Sequence, residues 1–137
     1  MKVYCTYCSA KKDNSSSELP ALKRYKNNRI TSIYDLAIKS KIPFYILSGK
    51  YGILHPEDTI PYYDTLLKPT KIIDHSNTVA KQLKNLGISE LIFYSKSIQE
   101  DPNIKPYIEC IKLATEKAGV NFILMNFPIS SGNDSLY

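Results

Sequence analysis

The sequence predicts a single α/β domain, a mostly parallel sheet of four strands with helices on both faces. Three observations predict it. Short runs rich in β-branched and aromatic residues alternate with longer segments of helical period, in the order strand, helix, strand, helix, strand, helix, strand. The connections between most of them are short, which suits parallel strands joined by crossover helices. The chain has 137 residues, 43% hydrophobic and 23% charged, which is the size and composition of one soluble domain able to bury its own core.

"KVYCTY" alternates and is read as the first strand, residues 2–7. "SAKKDNSSSELPALKRYKNN" follows as a long polar, basic loop with a turn of helix near Ala21–Tyr25. "TSIYDLAIKSK" is a short helix capped by Ser32, with Ile33, Leu36 and Ala37 on one face. "PFYIL" is a buried strand, expected within residues 43–48. "PTKIIDHSNTVAKQLKNLG" is a helix with Ile72, Val79, Leu83 and Leu86 on one stripe and Gly87 at its end. "ELIFYS", residues 90–95, is the third strand. Asp101 and Pro102 open a helix whose stripe is Tyr107, Ile111, Ala114 and Ala118, and Gly119 ends it. A fourth strand is expected over residues 120–126, which completes a domain over 1–128, followed by a polar tail, 129–137.

No apolar run approaches the ~18 residues of a membrane span, and the N-terminus lacks the apolar core of a signal peptide. Three cysteines, an odd count, fit a cytoplasmic protein with reduced thiols. Cys5 and Cys8 form a C-x-x-C pair, but Cys5 lies inside the first strand, and Cys110, His55 and His75 stand at no recognisable ligand spacing. No metal and no cofactor is expected. Net charge is +5 and unevenly placed: residues 1–50 hold ten Lys and Arg against three Asp and Glu. Lys11, Lys23, Arg24, Lys26 and Arg29 belong to this basic half, as candidate contacts to nucleic acid or as a solubilising surface.

Two segments leave strand ends, where ligands of parallel α/β sheets bind. In "CSAKK", Cys8, Ser9 and the two lysines after Ala10 combine exposed backbone N–H groups with charge, a pattern able to hold an anion. In "ILSGKYGILHPEDTIPYYDTLL", Ser48, Gly49, Lys50, Tyr51 and Gly52 leave the second strand. There the glycines allow close approach of a ligand, and Lys50 can hold an anion. Asp58 and Asp64 offer general acid–base groups or base-edge acceptors, and Tyr51 and Tyr63 offer stacking faces. Lys12 is the candidate nucleophile or anion holder. A packed loop with tyrosines partly in the core is the alternative for the second segment.

Together the two segments resemble a group of short bacterial and phage domains of unknown function. Those read S-C-S-x-x-K and then L-S-A-K-Y-G-L-L-x-P-x-x-x-I-x-P-Y-D-x-T-L. The resemblance covers residues 3–67, with Tyr62-Tyr63-Asp64 standing where the group has P-Y-D. The second segment is also similar to the YaaA peroxide-stress proteins, which are linked to DNA binding. Cys8 and Lys12 resemble the C-x-x-x-K motif of archaeosine synthase, whose lysine is implicated in covalent chemistry at a base. The K-P-Y that continues that motif is absent here, where Asp13 and Asn14 follow Lys12. The resemblance implies a uracil-DNA-glycosylase-like fold and a nucleobase, nucleotide or nucleic acid as ligand. The expected activity is an enzyme-like domain acting on such a base; a non-catalytic DNA- or RNA-binding module and a nucleotide sensor are the alternatives.

Overall fold

A computed structural model describes residues 1–128, so the polar tail expected at 129–137 lies outside the described residues. The first strand, β1 (Lys2–Tyr7), is the middle of a five-stranded sheet. β3 (Phe44–Ser48) pairs with one edge of β1 and β6 (Glu90–Ser95) with the other, both parallel, and β7 (Asn121–Asn126) extends the sheet beyond β6. Tyr4 stands opposite Phe44 on one side and Ile92 on the other. Flanked and covered on both faces, Val3, Cys5, Thr6 and Tyr7 are all buried, as expected of a central parallel strand.

The four expected strands are present, and a fifth corrects their number. β4 (Gly52–Leu54) folds back antiparallel on β3 and closes the sheet on that side. It has three residues, too few for its alternation to show in the sequence. A separate two-stranded ribbon joins β2 (Leu19–Pro20) to β5 (Thr59–Ile60) and clips the long basic loop to the segment after β4. The expected helical turn is α1 (Ala21–Arg24).

Three helices make the crossovers. α2 (Asn28–Ser40) carries the chain from β1 to β3, α3 (Ile72–Asn85) from β4 to β6, and α4 (Lys105–Ala118) from β6 to β7. α3 and α4 pack against each other, while α2 packs on β1 and β3. The chain leaves β1 in one direction along the sheet and returns past it in the other. Right-handed crossovers therefore put α2 on the opposite face from α3 and α4. α2 starts earlier than Ser32: the Asn27 side chain caps it by accepting from the backbone N–H of Arg29 at 2.9 Å. That extension buries Arg29 and Ile30 against the sheet. On α3 the buried face is Ser76, Val79, Ala80 and Leu83, and Leu86, expected on the stripe, is exposed beyond the last turn.

The β4 edge is held by one side chain of α3. Gln82 Oε1 accepts from the N–H of Ile53 at 2.7 Å, and its Nε2 donates to the carbonyl of Tyr51 at 3.1 Å. Gly52, between them, has φ +79°, and a Cβ there would lie 2.2 Å from Gln82 Oε1. Gly52→Ala should therefore cost at least about 2 kcal/mol, from the left-handed backbone and the displaced amide together. Gly87→Ala shares the positive φ but meets no atom within 4 Å, so it should cost only about 1 kcal/mol. Urea denaturation of the two variants checks this; equal losses would show that the Gln82 clamp contributes nothing.

Candidate functional site

Because β3 and β6 lie on opposite sides of β1, the connections leaving β1 and β6 diverge at their carboxyl ends and open a crevice. A cleft of about 460 Å³ occupies that place. Residues 7–12 after β1 form one wall, the loop after β6 from Lys96 to Ile104 forms another, and residues 64–66 close a third. Asn27 and Arg29, at the start of α2, and Tyr107 of α4 complete the lining.

Arg29 is 3% exposed. Its Nη1 donates to Thr6 Oγ1 and to the carbonyl of Tyr7 at 2.7 Å, and its Nη2 to the carbonyl of Cys8 at 3.4 Å. The guanidinium stacks 3.5 Å from the centre of the Tyr7 ring. Every acceptor is neutral, and among the described residues Nε has no partner and no carboxylate stands within ion-pairing distance. Burial lowers the Arg29 pKa, with Tyr7, Cys8 and Asp101 acting the other way, but a guanidinium keeps its proton at neutral pH. A positive charge is thus fixed in the wall of the cleft.

Arg24 is fully buried and has a different task. Its guanidinium donates to the carbonyls of Asp13 (2.6 Å), Ser15 (3.0 Å), Ser17 and Ile60 (3.2 Å), and so folds the loop after β1 around itself. Arg24 and Arg29, both candidate nucleic-acid contacts in the sequence, are thus buried rather than on the open surface.

Behind the cleft runs a buried network of hydroxyls. Tyr63 OH bonds Ser48 Oγ at 2.8 Å and the hydroxyl of Tyr25. Ser48 Oγ also accepts from the N–H groups of Lys50 and Tyr51, both at 3.1 Å, and the Ser48 carbonyl is 2.8 Å from His75 Nε2. Tyr107 OH accepts from the N–H of Leu67 at 3.1 Å and faces Cys8 Sγ at 3.8 Å. Tyr63 and Leu67 are buried while residues 64–66 between them are exposed. The segment is therefore a strap pinned at both ends, holding Asp64 over the cleft. The Lys12 and Lys50 ammonium groups lie 4.8 and 5.8 Å from the centre of the Tyr63 ring.

The structure brings Cys8, Ser9, Lys11, Lys12 and Asp64 into the cleft and adds Arg29 to them. It does not bring the others there. Ser48 and Tyr63 are buried in the hydroxyl network. A Cβ on Gly49 would lie 2.8 Å from Tyr107 OH, so this glycine, like Gly52, makes room for the protein's own atoms and not for a ligand. Lys50 and Tyr51 stand behind Tyr63, outside the cleft lining. Asp58 is exposed and accepts from the N–H of His55 at 2.9 Å, closing its own turn away from the cleft. Lys23 and Lys26 are exposed beside the cleft, Lys26 at 3.7 Å from Asp13. The residues missed are Tyr7, Asn27, Lys96, Glu100, Asp101, Asn103 and Tyr107. Asp101 does cap the turn before α4, accepting from the N–H of Asn103 at 3.0 Å. The available signal was that this loop also leaves a strand's carboxyl end.

A family of unknown function (DUF6884) matches residues 3–122. The chain belongs to that family. The matched region runs from β1 into β7 and includes every cleft residue, so the site is built within the family's own segment. No curated protein and no solved structure matches the chain significantly.

Burial raises the pKa of Tyr63, with Cys8 and then Tyr25 adding to it, and burial likewise raises Tyr25 and Tyr107. The folded state therefore favours neutral phenols. The resulting stability is fully present below the ordinary tyrosine value of about 10 and is lost as pH rises above it, because the unfolded chain ionises first. The denaturation midpoint should fall above about pH 10, and Tyr63→Phe should make that fall shallower. Of the 11 tyrosines, these three should show phenolate absorbance only on unfolding. Ionisation of all of them in the folded protein near pH 10 would refute the network.

Proposed function

We propose that this chain is an enzyme-like nucleotide-binding domain that holds a phosphorylated nucleobase ligand in the cleft between the ends of β1 and β6. The observation that carries the reading is Arg29, a buried cation with no carboxylate within ion-pairing distance among the described residues, in the wall of a cleft at the reversal of strand order. A ligand anion in the cleft adds closer compensating charge to that of Asp101, which acts on Arg29 from beyond ion-pairing distance. Ser9, Lys11 and Lys12, on the loop beside Arg29, add donors and charge for the same anion. Asp64, Asp101 and Asn103 offer the mixed acceptors and donors that a heterocycle or a sugar requires, from the facing walls.

A cleft with convergent polar groups favours an enzyme-like site over a flat binding surface. The likeness of Cys8 and Lys12 to the archaeosine-synthase motif supports the same reading at two positions, both in the cleft. Lys12 is the amine available for nucleophilic or anion-holding work. The residue is half-buried and its ammonium lies over the Tyr63 ring. Asp64 takes the acid–base or base-edge role, and the uracil-DNA-glycosylase-like relation belongs to this proposal. Asp58 has no part in it.

A thermal-shift screen tests the reading. Nucleoside 5′-phosphates should raise the melting temperature, and the matching nucleosides should raise it less. A nucleotide at 100 times its dissociation constant adds about 2.7 kcal/mol, a shift on the order of 10 °C. Lys12→Ala should reduce the nucleotide shift with the melting point of the free protein unchanged. Lys12→Arg should restore it if Lys12 only holds an anion, and should not restore turnover if the amine is a nucleophile. No shift with any phosphorylated nucleotide would overturn the proposal.

A further inference from the structure

A second groove, of about 530 Å³, opens on the same side of the domain and shares Lys11, Asn27, Arg29 and Lys96 with the cleft. Its charge is of one sign. Lys11, Lys23 and Lys26 line it together with Arg29 and Lys96, and among the described residues no carboxylate does. The cleft differs: Asp64, Glu100 and Asp101 line it beside its cations. The groove also receives the first turn of α2, through Asn28 and Thr31, and that turn carries no acidic residue. The positive end of the helix therefore adds to the lysines. Asp13 lies 3.7 Å from the ammonium of Lys26, whose side chain is 56% exposed, and such a pair is weak and screened.

We infer that the ligand of the cleft is one nucleotide of a single-stranded polynucleotide, whose neighbouring phosphates run along the Lys11–Lys23–Lys26 groove. This rests on the nucleotide reading of the cleft and extends it. A free mononucleotide has one anionic group to place, and the Arg29 wall already provides for it. The further cations Lys11, Lys23 and Lys26, side by side along the groove, match a repeating anion. The mixed walls of the cleft match the nucleoside, which has donors and acceptors. A paired base cannot enter a concave site while it stays in a duplex, so the strand is single or locally opened.

The test compares fluorescein-labelled random hexanucleotides, as DNA and as RNA, with labelled mononucleotides by anisotropy between about 50 and 200 mM salt. The variant Lys23→Ala/Lys26→Ala removes two exposed ammonium groups that do not line the cleft. The hexanucleotide should bind at least about tenfold tighter than the mononucleotide at the lower salt. The double variant should lose most of that advantage and flatten the log–log salt slope by roughly 1.4, about 0.7 for each phosphate contact removed. Its mononucleotide affinity should not change. Mononucleotides that bind as tightly as hexanucleotides would overturn this inference and leave the cleft reading standing. Failure of both probes to bind would overturn both. A blunt duplex that binds as tightly as the single strands, or polyglutamate that displaces them at equal charge, would overturn the single-stranded nucleic-acid assignment.

Discussion

Arg29 stands where the first turn of α2 meets the end of β1, and its guanidinium bonds Thr6, Tyr7 and Cys8 in succession. An unpaired charge in such a place is costly, and the cost is reduced by neutral oxygens and one aromatic face. The geometry follows from that arrangement. The bonds to Tyr7 and Cys8 fix the direction in which the chain leaves the strand, and so where Ser9, Lys11 and Lys12 emerge. The capped start of α2 at Asn27 is what brings Arg29 there. Strand end, helix start and cleft wall are one unit.

The hydroxyl network does for the opposite wall what Arg29 does for this one. Ser48 and Tyr63 join the end of β3 to the strap, and Tyr107 joins the strap to α4. The glycines of the segment make these contacts possible, since Gly49 leaves space for Tyr107 and Gly52 for Gln82. Much of the dense run from Ile46 to Leu67 is thus occupied with holding itself in place. Asp64 is the group from that run presented to the cleft together with its two neighbours.

The alternation of strands and helices was legible because each parallel strand is an apolar run and each long helix has a clear period. The start of α2 was not, because Asn27 and Asn28 sit in a polar stretch that reads as loop. The burial of Arg24 and Arg29 was not legible for a related reason. Both stand in a basic run, and arginine is seldom buried without a carboxylate beside it. Here backbone carbonyls replace that carboxylate, and a carbonyl leaves no mark in a sequence. The loop after β1 could be placed at the site from its position after a strand. The loop after β6 required the sheet order, which sets β6 directly against β1. Lys12 and Lys50, 38 residues apart in the chain, converge on the ring of Tyr63, which follows one by 51 residues and the other by 13.

Arg24 has a consequence for how this protein can change over generations. It holds the loop through the carbonyls of residues 13, 15 and 17, groups that every amino acid carries. The shape of the loop is therefore specified by a residue outside it together with the side chains of Asp13 and Ser15, which accept from the N–H groups of Ser15 and Ser17. Asn14, Ser16 and Ser17 turn their side chains toward solvent, so they can be exchanged while the backbone keeps its course. The scaffold is sequence-blind at those positions and strict at Arg24. Descendants can try new chemistry on that loop, a short distance along the chain from Lys12, without first solving the folding problem again.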